Sequence, residues 1–356
     1  MNDATSAGFM ERHPALVISG VVGFFLIVLM LLAELGLRLF GNVNIHYYTG
    51  YTQPGWHEYP YGRIPINSFG APDEEFVMRP GERRIGYFGD SITYGVGAGY
   101  GYRMPDLLRK AYPDYRHWVV AEVGAVPTLK DISPNIKKFG LGAVTYIMNL
   151  NDILPGSEIS KGEEPGNTTF ITRAKSGFMG DIDQVLRGRS YLYTYIRLGI
   201  KNALQRAGYE AHGQVAYELQ ATKYRAVVEE TSHRIVSLGK AVEAQGVNFC
   251  VLMIPYEMQV SADAARQYSS LGFSWEPGFL AGNTQQMVGK ILNAEGINLF
   301  DARGAFSGVD LRVGDAFVYN KGDKVDWNHP NRRGHALIAN WLIHDTEFKG
   351  RCLPNG

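Results

Sequence analysis

The chain has 356 residues, 45% of them hydrophobic and 20% charged, and its 35 basic and 35 acidic side chains cancel. This balance is typical of a globular protein with enough apolar material for a large core. The zero net charge and the lack of a long Lys/Arg cluster argue against nucleic acid as a partner. With only two cysteines, the chain supplies neither a disulfide framework nor a cysteine zinc site.

After a short N-terminal tail (1–14), the residues Ala15–Ala33 carry no charge and are mostly Leu, Val, Ile and Phe. Extension to Phe40 supplies the roughly 20 apolar residues that cross a bilayer, so we predict a transmembrane anchor over 15–40. A cleaved signal peptide is the competing interpretation, but its apolar region is typically about 7–15 residues, and Ala33-Glu34-Leu35 is a poor cleavage site. A buried soluble helix is disfavoured because no polar stripe interrupts the run.

The end of this segment carries two charges of opposite sign. Glu34 and Arg38 are four residues apart on a helix, so they share a face and can pair where the helix leaves the lipid. Arg38 can also extend toward the headgroups. Because Arg12 flanks the other end, the count of positive charges gives almost no bias in membrane orientation.

Residues 41–80 are rich in Tyr, Gly and Pro, which predicts an extended connector rather than a regular element. Flexible linkers are poor in aromatic residues, so we expect this connector to pack along the body that follows. A surface on which carbohydrate stacks is the alternative interpretation.

The body, 81–349, alternates short apolar runs with segments of helical length, which predicts βαβ units and a parallel sheet. Apolar residues at helical spacing mark three of the predicted helices, and Gln245-Gly246 marks the end of the fourth. Residues 350–356 form a tail. The predicted strands are Arg84–Gly89, His117–Val123, Ala143–Met148, Val247–Ile254 and Asn298–Asp301, and the predicted helices are Tyr102–Tyr112, Ser190–Ala207, Thr222–Ala244 and Pro330–Phe348.

Between the third strand and the long helix, residues of about 154–215 have no clear pattern apart from one helical stretch. We interpret them as an insertion that could roof a site, since loops on such scaffolds often carry specificity.

Cys250 lies within a predicted strand, where a buried, inert thiol is the preferred interpretation. A disulfide with Cys352 is the less favoured alternative, because it requires the tail to fold back.

The residues that point to chemistry lie at strand ends and near the C-terminus. Ser91 follows the first strand, and Asp326 and His329 supply an acid and an imidazole three residues apart. A serine becomes a nucleophile when a base takes its proton, and the base needs an orienting acid. Backbone amides of Ser91 and Gly124 and the side-chain amide of Asn151 are candidate donors for an oxyanion.

These blocks resemble the four sequence blocks of the SGNH (GDSL-type) hydrolases. The resemblance covers roughly Arg84–Phe348 and implies a three-layer α/β/α fold with a flavodoxin-like parallel sheet. It also implies ester hydrolysis through an acyl-serine, with the roles given above. No Gly-x-Ser-x-Gly elbow surrounds the serine, which distinguishes the chain from α/β-hydrolases. The blocks are Gly89-Asp90-Ser91, Gly124, Asn151-Asp152 and Asp326-Trp327-Asn328-His329-Pro330.

Two positions depart from the family pattern. Glu122 stands where the family usually has asparagine, and Asn149 stands where it often has glycine. We expect Glu122 to point away from the oxyanion or to pair with a basic residue, and Asn149 to add a polar contact in the pocket.

No cofactor and no metal are expected. His335 follows His329 by six residues, which is not the spacing of a helical pair of metal ligands, so a capping or surface role is preferred.

The resulting hypothesis is a membrane-anchored serine esterase that removes short acyl groups from an extracytoplasmic glycan, lipid or small ester. Largely on the resemblance, we expect a single-pass protein in the cell membrane with its catalytic domain outside the cytoplasm. One alternative is an O-acyltransferase that modifies a cell-surface polysaccharide beside a multi-spanning acyl-donor protein. Another is a non-catalytic glycan-binding or assembly protein.

Overall fold

A computed structural model describes residues 13–41, 53–59, 61–155, 186, 189–206, 216–270, 273–318 and 326–354. The predicted insertion therefore lies largely outside the described residues.

The N-terminal helix α1 (Pro14–Phe40) is 27 residues long and has no buried residue. Its proline in the first turn is a common helix start. By length and composition α1 can cross a membrane, a property that membrane anchors share with signal sequences.

The end of α1 contacts helix α5 (Tyr191–Arg206). Glu34 pairs with Arg38 at 2.7 Å, as the spacing predicts. The Glu34 carboxylate also accepts hydrogen bonds from the hydroxyl of Ser190 at 2.9 Å and from the amide of Leu192 at 2.8 Å. Glu34 therefore caps the first turn of α5, a contact that the sequence did not predict.

The connector contains regular structure between residues 55 and 66, so the prediction of an irregular segment was wrong there. Strands β1 (Gly55–Tyr59) and β2 (Gly62–Ile66) form an antiparallel hairpin. Ile64 and Ile66 are buried against Tyr94 of the body, and this packing selects the extended backbone over the Gly- and Pro-rich local preference.

Five parallel strands form the central sheet in the order β4-β3-β5-β6-β7. Renumbered within the body this is 2-1-3-4-5, the flavodoxin-like order. The predicted α/β fold with a flavodoxin-like parallel sheet is confirmed. The strands are β3 (Arg83–Gly89), β4 (Tyr115–Ala121), β5 (Ala143–Asn149), β6 (Asn248–Ile254) and β7 (Asn298–Asp301).

Helices cover both faces of this sheet, which gives three layers. Alternate residues of β3 point to opposite faces, so Phe88 packs into one core cluster while Ile85 and Tyr87 pack into the other. Core residues of α4, α7 and α11 join the first cluster, and those of α3, α12 and α13 join the second. The helices of the body are α2 (Ser91–Tyr94), α3 (Met104–Ala111), α4 (Leu129–Phe139), α6 (Ala216–Leu219), α7 (Arg225–Glu243), α8 (Glu257–Val260), α9 (Ala262–Ser270), α10 (Pro277–Leu280), α11 (Asn283–Ala294), α12 (Arg332–His344) and α13 (Thr346–Cys352).

The last predicted helix is broken at Asp345, so the prediction of one continuous helix was wrong. Asp345 ends α12 and its side chain accepts a hydrogen bond from the amide of Phe348, which starts α13. The turn brings the Phe348 ring to 5.5 Å from the ring of Phe300 at the sheet.

This return of the tail forms a disulfide between Cys250 and Cys352, and the prediction of a free thiol was wrong. The two cysteines are 102 residues apart in sequence, and both are fully buried. A hydrogen bond of 2.8 Å from the side chain of Asn248 to the carbonyl of Leu353 also holds the tail at the sheet. The disulfide therefore ties the C-terminus to a central strand.

We expect loss of this disulfide to lower the free energy of unfolding by about 2–5 kcal/mol, because the cross-link restrains a long loop in the unfolded chain. Thermal unfolding of the Cys250→Ala/Cys352→Ala variant, with and without reductant, measures the effect. The variant should have the same Tm as the reduced wild type, and its Tm should not change when reductant is added. A wild type whose unfolding does not respond to complete reduction would contradict the prediction.

Candidate active site

Ser91 lies at the end of β3, where a turn leads into α2. Gly89 is the last residue of β3, and a Cβ there would lie 2.6 Å from the carbonyl oxygen of Ile147 on β5. Asp90 then caps α2, because its carboxylate accepts a hydrogen bond of 3.0 Å from the amide of Ile92. The strand and the cap together fix the Ser91 side chain at the carboxyl edge of the sheet.

The Ser91 hydroxyl meets His329, which is 238 residues away in sequence. The distance between Ser91 Oγ and His329 Nε2 is 2.7 Å. On the other side of the imidazole, Nδ1 lies 2.8 Å from each carboxylate oxygen of Asp326. The structure therefore brings the three predicted residues into one hydrogen-bonded row.

The segment that carries His329 is held from both sides. The amide of Val318 donates to the carbonyl of His329 at 2.9 Å, and the amide of Asn331 donates to the carbonyl of Ala316 at 2.9 Å. Gly97 packs from the serine side with a φ of +95°, and a Cβ there would lie 2.7 Å from the carbonyl oxygen of Pro330. This close approach needs glycine, a role that the sequence did not reveal.

Two effects oppose each other in the pKa of His329. Burial lowers the pKa, but the charge and hydrogen bond of Asp326, together with the charge of Asp90, outweigh burial and raise the pKa above 6.5. Burial in turn raises the pKa of Asp90 above its ordinary value, against the hydrogen bond from the amide of Ile92. The arrangement favours the charged imidazolium once it has formed.

The candidate oxyanion donors follow three neighbouring strands. Gly124 follows β4 with a φ of +79°, a conformation that favours glycine. Asn151 lies in a 3₁₀ turn after β5, and its amide nitrogen is 3.4 Å from a carboxylate oxygen of Asp90. Since β3 lies between β4 and β5, these residues share the edge of the sheet with Ser91.

The two departures from the family pattern have different positions. Glu122 is exposed and is among the residues that line the cleft described below, and its orientation away from the oxyanion stays a prediction. Asn149 is fully buried, and its side-chain oxygen accepts a hydrogen bond of 2.7 Å from the amide of Leu150. The expected pocket contact of Asn149 was wrong, because its side chain caps the turn that carries Asn151.

Asp152 is a further residue of this turn that the sequence did not single out for a role. It accepts hydrogen bonds from the hydroxyl of Tyr146 at 2.8 Å and from the amide of Asn149 at 3.2 Å. Burial and the nearby charge of Asp90 hold the pKa of Asp152 well above its ordinary value. Asp152 therefore stabilises the turn that carries Asn151. The sequence pattern did not predict this role, because the bond to Tyr146 is a tertiary contact.

A cleft of about 490 Å³ opens beside the site. Gly89 and both neighbours of Gly124 line it, so its wall includes the segment that carries a candidate oxyanion donor. The residues that line it also include the aromatic Phe88, Trp118 and Phe139.

His335 is buried rather than on the surface, so the surface part of its prediction was wrong. Its Nδ1 accepts a hydrogen bond of 3.2 Å from the amide of Met104 at the start of α3. Burial lowers the pKa of His335 to about 3. Among the described residues, no cluster of His, Cys, Asp and Glu could hold a metal ion.

No family model and no curated protein matches this sequence. Among solved structures, phospholipase A1 from Streptomyces albidoflavus NA297 is 18% identical, with a TM-score of 0.39 over 73% of this chain and 99% of that chain. The acetyl xylan esterase AlAXEase is 12% identical, with a TM-score of 0.39 over 74% of this chain and 100% of that chain. A protein described as lipolytic and of the G-D-S-L family, from Desulfitobacterium hafniense DCB-2, is 9% identical, with a TM-score of 0.36 over 73% and 97%. At these values the similarity assigns neither a substrate nor catalytic residues.

We expect the Asp326→Asn substitution to lower the pKa of His329, because the carboxylate charge is what holds that pKa above 6.5. Nuclear magnetic resonance titration of labelled histidine rings measures it without any substrate. His335 serves as the internal control, since burial keeps it neutral over the same pH range. An unchanged or higher pKa of His329 in the variant would show that Asp326 does not act on the imidazole.

Proposed function

We propose that the chain is a serine esterase that cleaves an acyl ester through an acyl-serine intermediate. The observation that carries this proposal is the row Ser91 Oγ, His329 Nε2 and Asp326, with separations of 2.7 and 2.8 Å. These are ordinary distances for a nucleophile, its general base and the acid that orients the base.

In the first half of the reaction, the Ser91 oxygen attacks the ester carbonyl carbon while its proton moves to His329 Nε2. Asp326 stays ionised, keeps the proton of Nδ1 in place and stabilises the imidazolium. The tetrahedral intermediate then breaks its bond to the alcohol oxygen, and the alcohol leaves with the proton from His329. Water repeats the sequence on the acyl-serine and releases the acid.

Charge on the carbonyl oxygen would be stabilised by the amides of Ser91 and Gly124 and by the side chain of Asn151. A primary amide has two N–H groups. The contact of Asn151 with Asp90 uses one of them, which leaves the second for the oxyanion. Asp90 would in this way orient the Asn151 amide as well as cap the helix of the nucleophile.

We further propose that α1 is a retained membrane anchor and that the body lies outside the cytoplasm. The contacts of Glu34 with α5 and of Arg38 with the carbonyl of Arg189 just before α5 support a retained helix, because cleavage would remove the cap of α5. The buried disulfide supports an oxidising compartment, since such bonds are rare in the cytosol. The proposed substrate is a short acyl ester of an extracytoplasmic glycan, lipid or small molecule.

An O-acyltransferase is the second candidate, in which a sugar hydroxyl replaces water in the second half of the reaction. Its support is α1, because a membrane anchor would hold the body beside the membrane, where a multi-spanning acyl donor could deliver an acyl group.

The Ser91→Ala variant should lose at least about 10⁴-fold in turnover of 4-nitrophenyl acetate, because it lacks the nucleophile. Thr93→Val is the matched control, since it removes a buried hydroxyl from the same helix at constant shape. That hydroxyl has no hydrogen-bond partner among the described residues, so the control should keep most of its turnover. Equal turnover in Ser91→Ala and wild type would contradict the proposed mechanism.

One experiment distinguishes water from a sugar hydroxyl as the group that accepts the acyl group. It uses the full chain in detergent, an acetyl ester as donor and a soluble polysaccharide as the added acceptor. For an esterase, free acetate accounts for the donor consumed and does not fall when the polysaccharide is added. Acetylated polysaccharide that appears at the expense of free acetate, and only with intact Ser91, would establish the transferase instead.

A further inference from the structure

Glu257 is a buried carboxylate that the proposed mechanism does not use. It follows β6, begins α8 and is 1% exposed. One of its oxygens accepts a hydrogen bond of 2.7 Å from the hydroxyl of Tyr268, and the other accepts one of 2.5 Å from the amide of Gly314. Burial of a charged carboxylate costs free energy, so its presence in the core suggests that it has a role.

The contacts of Glu257 lead to the segment that carries the acid and the base. Its own amide donates a hydrogen bond of 2.9 Å to the carbonyl of Trp327, which follows Asp326. Gly314, which Glu257 binds, accepts in turn a hydrogen bond of 3.1 Å from the side chain of Asn331. Glu257 therefore contacts this segment on one side of His329 and reaches its other side through Gly314.

Asn331 makes the second connection rigid. Its side-chain oxygen caps α12 by accepting hydrogen bonds from the amides of Arg333 and Gly334 at 2.9 and 3.1 Å. Its side-chain nitrogen also donates to the carbonyl of Phe317 at 3.1 Å. A change of the Glu257 side chain would thus act on the segment 326–331 through Gly314 and Asn331, while the backbone hydrogen bond to Trp327 stays in place.

We infer that Glu257 is a positioning residue that holds the Asp326–His329 pair in place and whose own ionisation alters the proton affinity of His329. This inference rests on the proposed function, because it assigns a role to Glu257 in the site of that reaction.

The surroundings of Glu257 make its charge variable. Burial raises the pKa of Glu257 to about 7, although the hydrogen bonds from Tyr268 and Gly314 lower it. The charges of Asp326 and Asp315 raise it further. Glu257 therefore gains its charge near neutral pH, close enough to Asp326 for the two charges to interact.

The groups that face this region come from three segments. Helix α9 contributes Tyr268, and Asp263 of the same helix accepts a hydrogen bond from the amide of Val313 beside Gly314. The loop before the catalytic segment contributes Asp315, and the catalytic segment contributes Asp326 and His329.

The Glu257→Gln variant separates charge from geometry. Its amide oxygen can still accept from Gly314 and its amide nitrogen can donate to the Tyr268 oxygen, but it never ionises. We expect kcat on its pH-independent plateau to stay within about twofold of wild type, because the hydrogen bonds are kept. We also expect the pKa of His329 to fall by roughly 0.5 or more, so the acid limb of kcat/KM moves to lower pH.

Two further variants complete the design. Glu257→Ala removes both hydrogen bonds and should lower kcat by about 10- to 100-fold, with Glu257→Gln restoring most of it. Glu295→Gln removes an exposed carboxylate that pairs with Lys240, and it should change neither kcat nor the pKa of His329.

Stability gives a readout that does not depend on turnover. The pKa of Glu257 is near 7 in the folded protein against an ordinary value of 4.5, so the folded state holds this proton more tightly. Its contribution to stability is complete below about pH 4.5 and is lost as the pH rises through about 7. Glu257→Gln should therefore lose less Tm than wild type between these two pH values.

Histidine titration decides the inference separately from the esterase proposal, because it needs no substrate. A lower pKa of His329 in Glu257→Gln supports the inference even in a protein that fails to turn over esters. An unchanged pKa of His329 together with an unchanged dependence of Tm on pH would overturn it.

Discussion

A single hydrogen bond between Ser91 and His329 joins the start of the body to its end, across 238 residues. It forms only if β3 delivers the serine to the sheet edge and if the C-terminal segment returns to the same edge. Three local features hold the two side chains within hydrogen-bond distance. They are the cap that Asp90 places on α2, the close approach at Gly97 and the hydrogen bonds of Asn331. The disulfide at Cys352 holds the rest of the tail against the sheet in the same way.

The site lies among buried carboxyl groups rather than beside a basic cluster. Burial raises the pKa of Asp90, Asp152 and Glu257, while Asp326 and Asp90 together raise that of His329. Of these acids, Asp326 and Asp90 favour the protonated form of the imidazole. This electrostatic environment suits a base that must carry a positive charge while a carbonyl oxygen becomes negative.

The parts of the fold that depend on local pattern were predictable from the sequence. Apolar runs that end at Ser91, Gly124 and Asn151 indicated neighbouring strands, and three of the four predicted helices match observed ones within a few residues, whereas α4 and α11 were not predicted. The hairpin in the connector, the break at Asp345 and the disulfide were missed because contacts distant in sequence decide them. The role of Glu257 was missed for the same reason, because its hydrogen-bond partners Tyr268 and Gly314 come close to it only in the folded chain.

The most direct test of an activated serine is the intact mass of the full chain after exposure to a fluorophosphonate, measured beside Ser91→Ala. We expect one covalent adduct on the wild type and none on the variant, because only a serine with a proton acceptor at 2.7 Å attacks the phosphorus readily. A folded wild type that gains no adduct, or a variant that gains the same one, would contradict the assignment of Ser91 as the nucleophile.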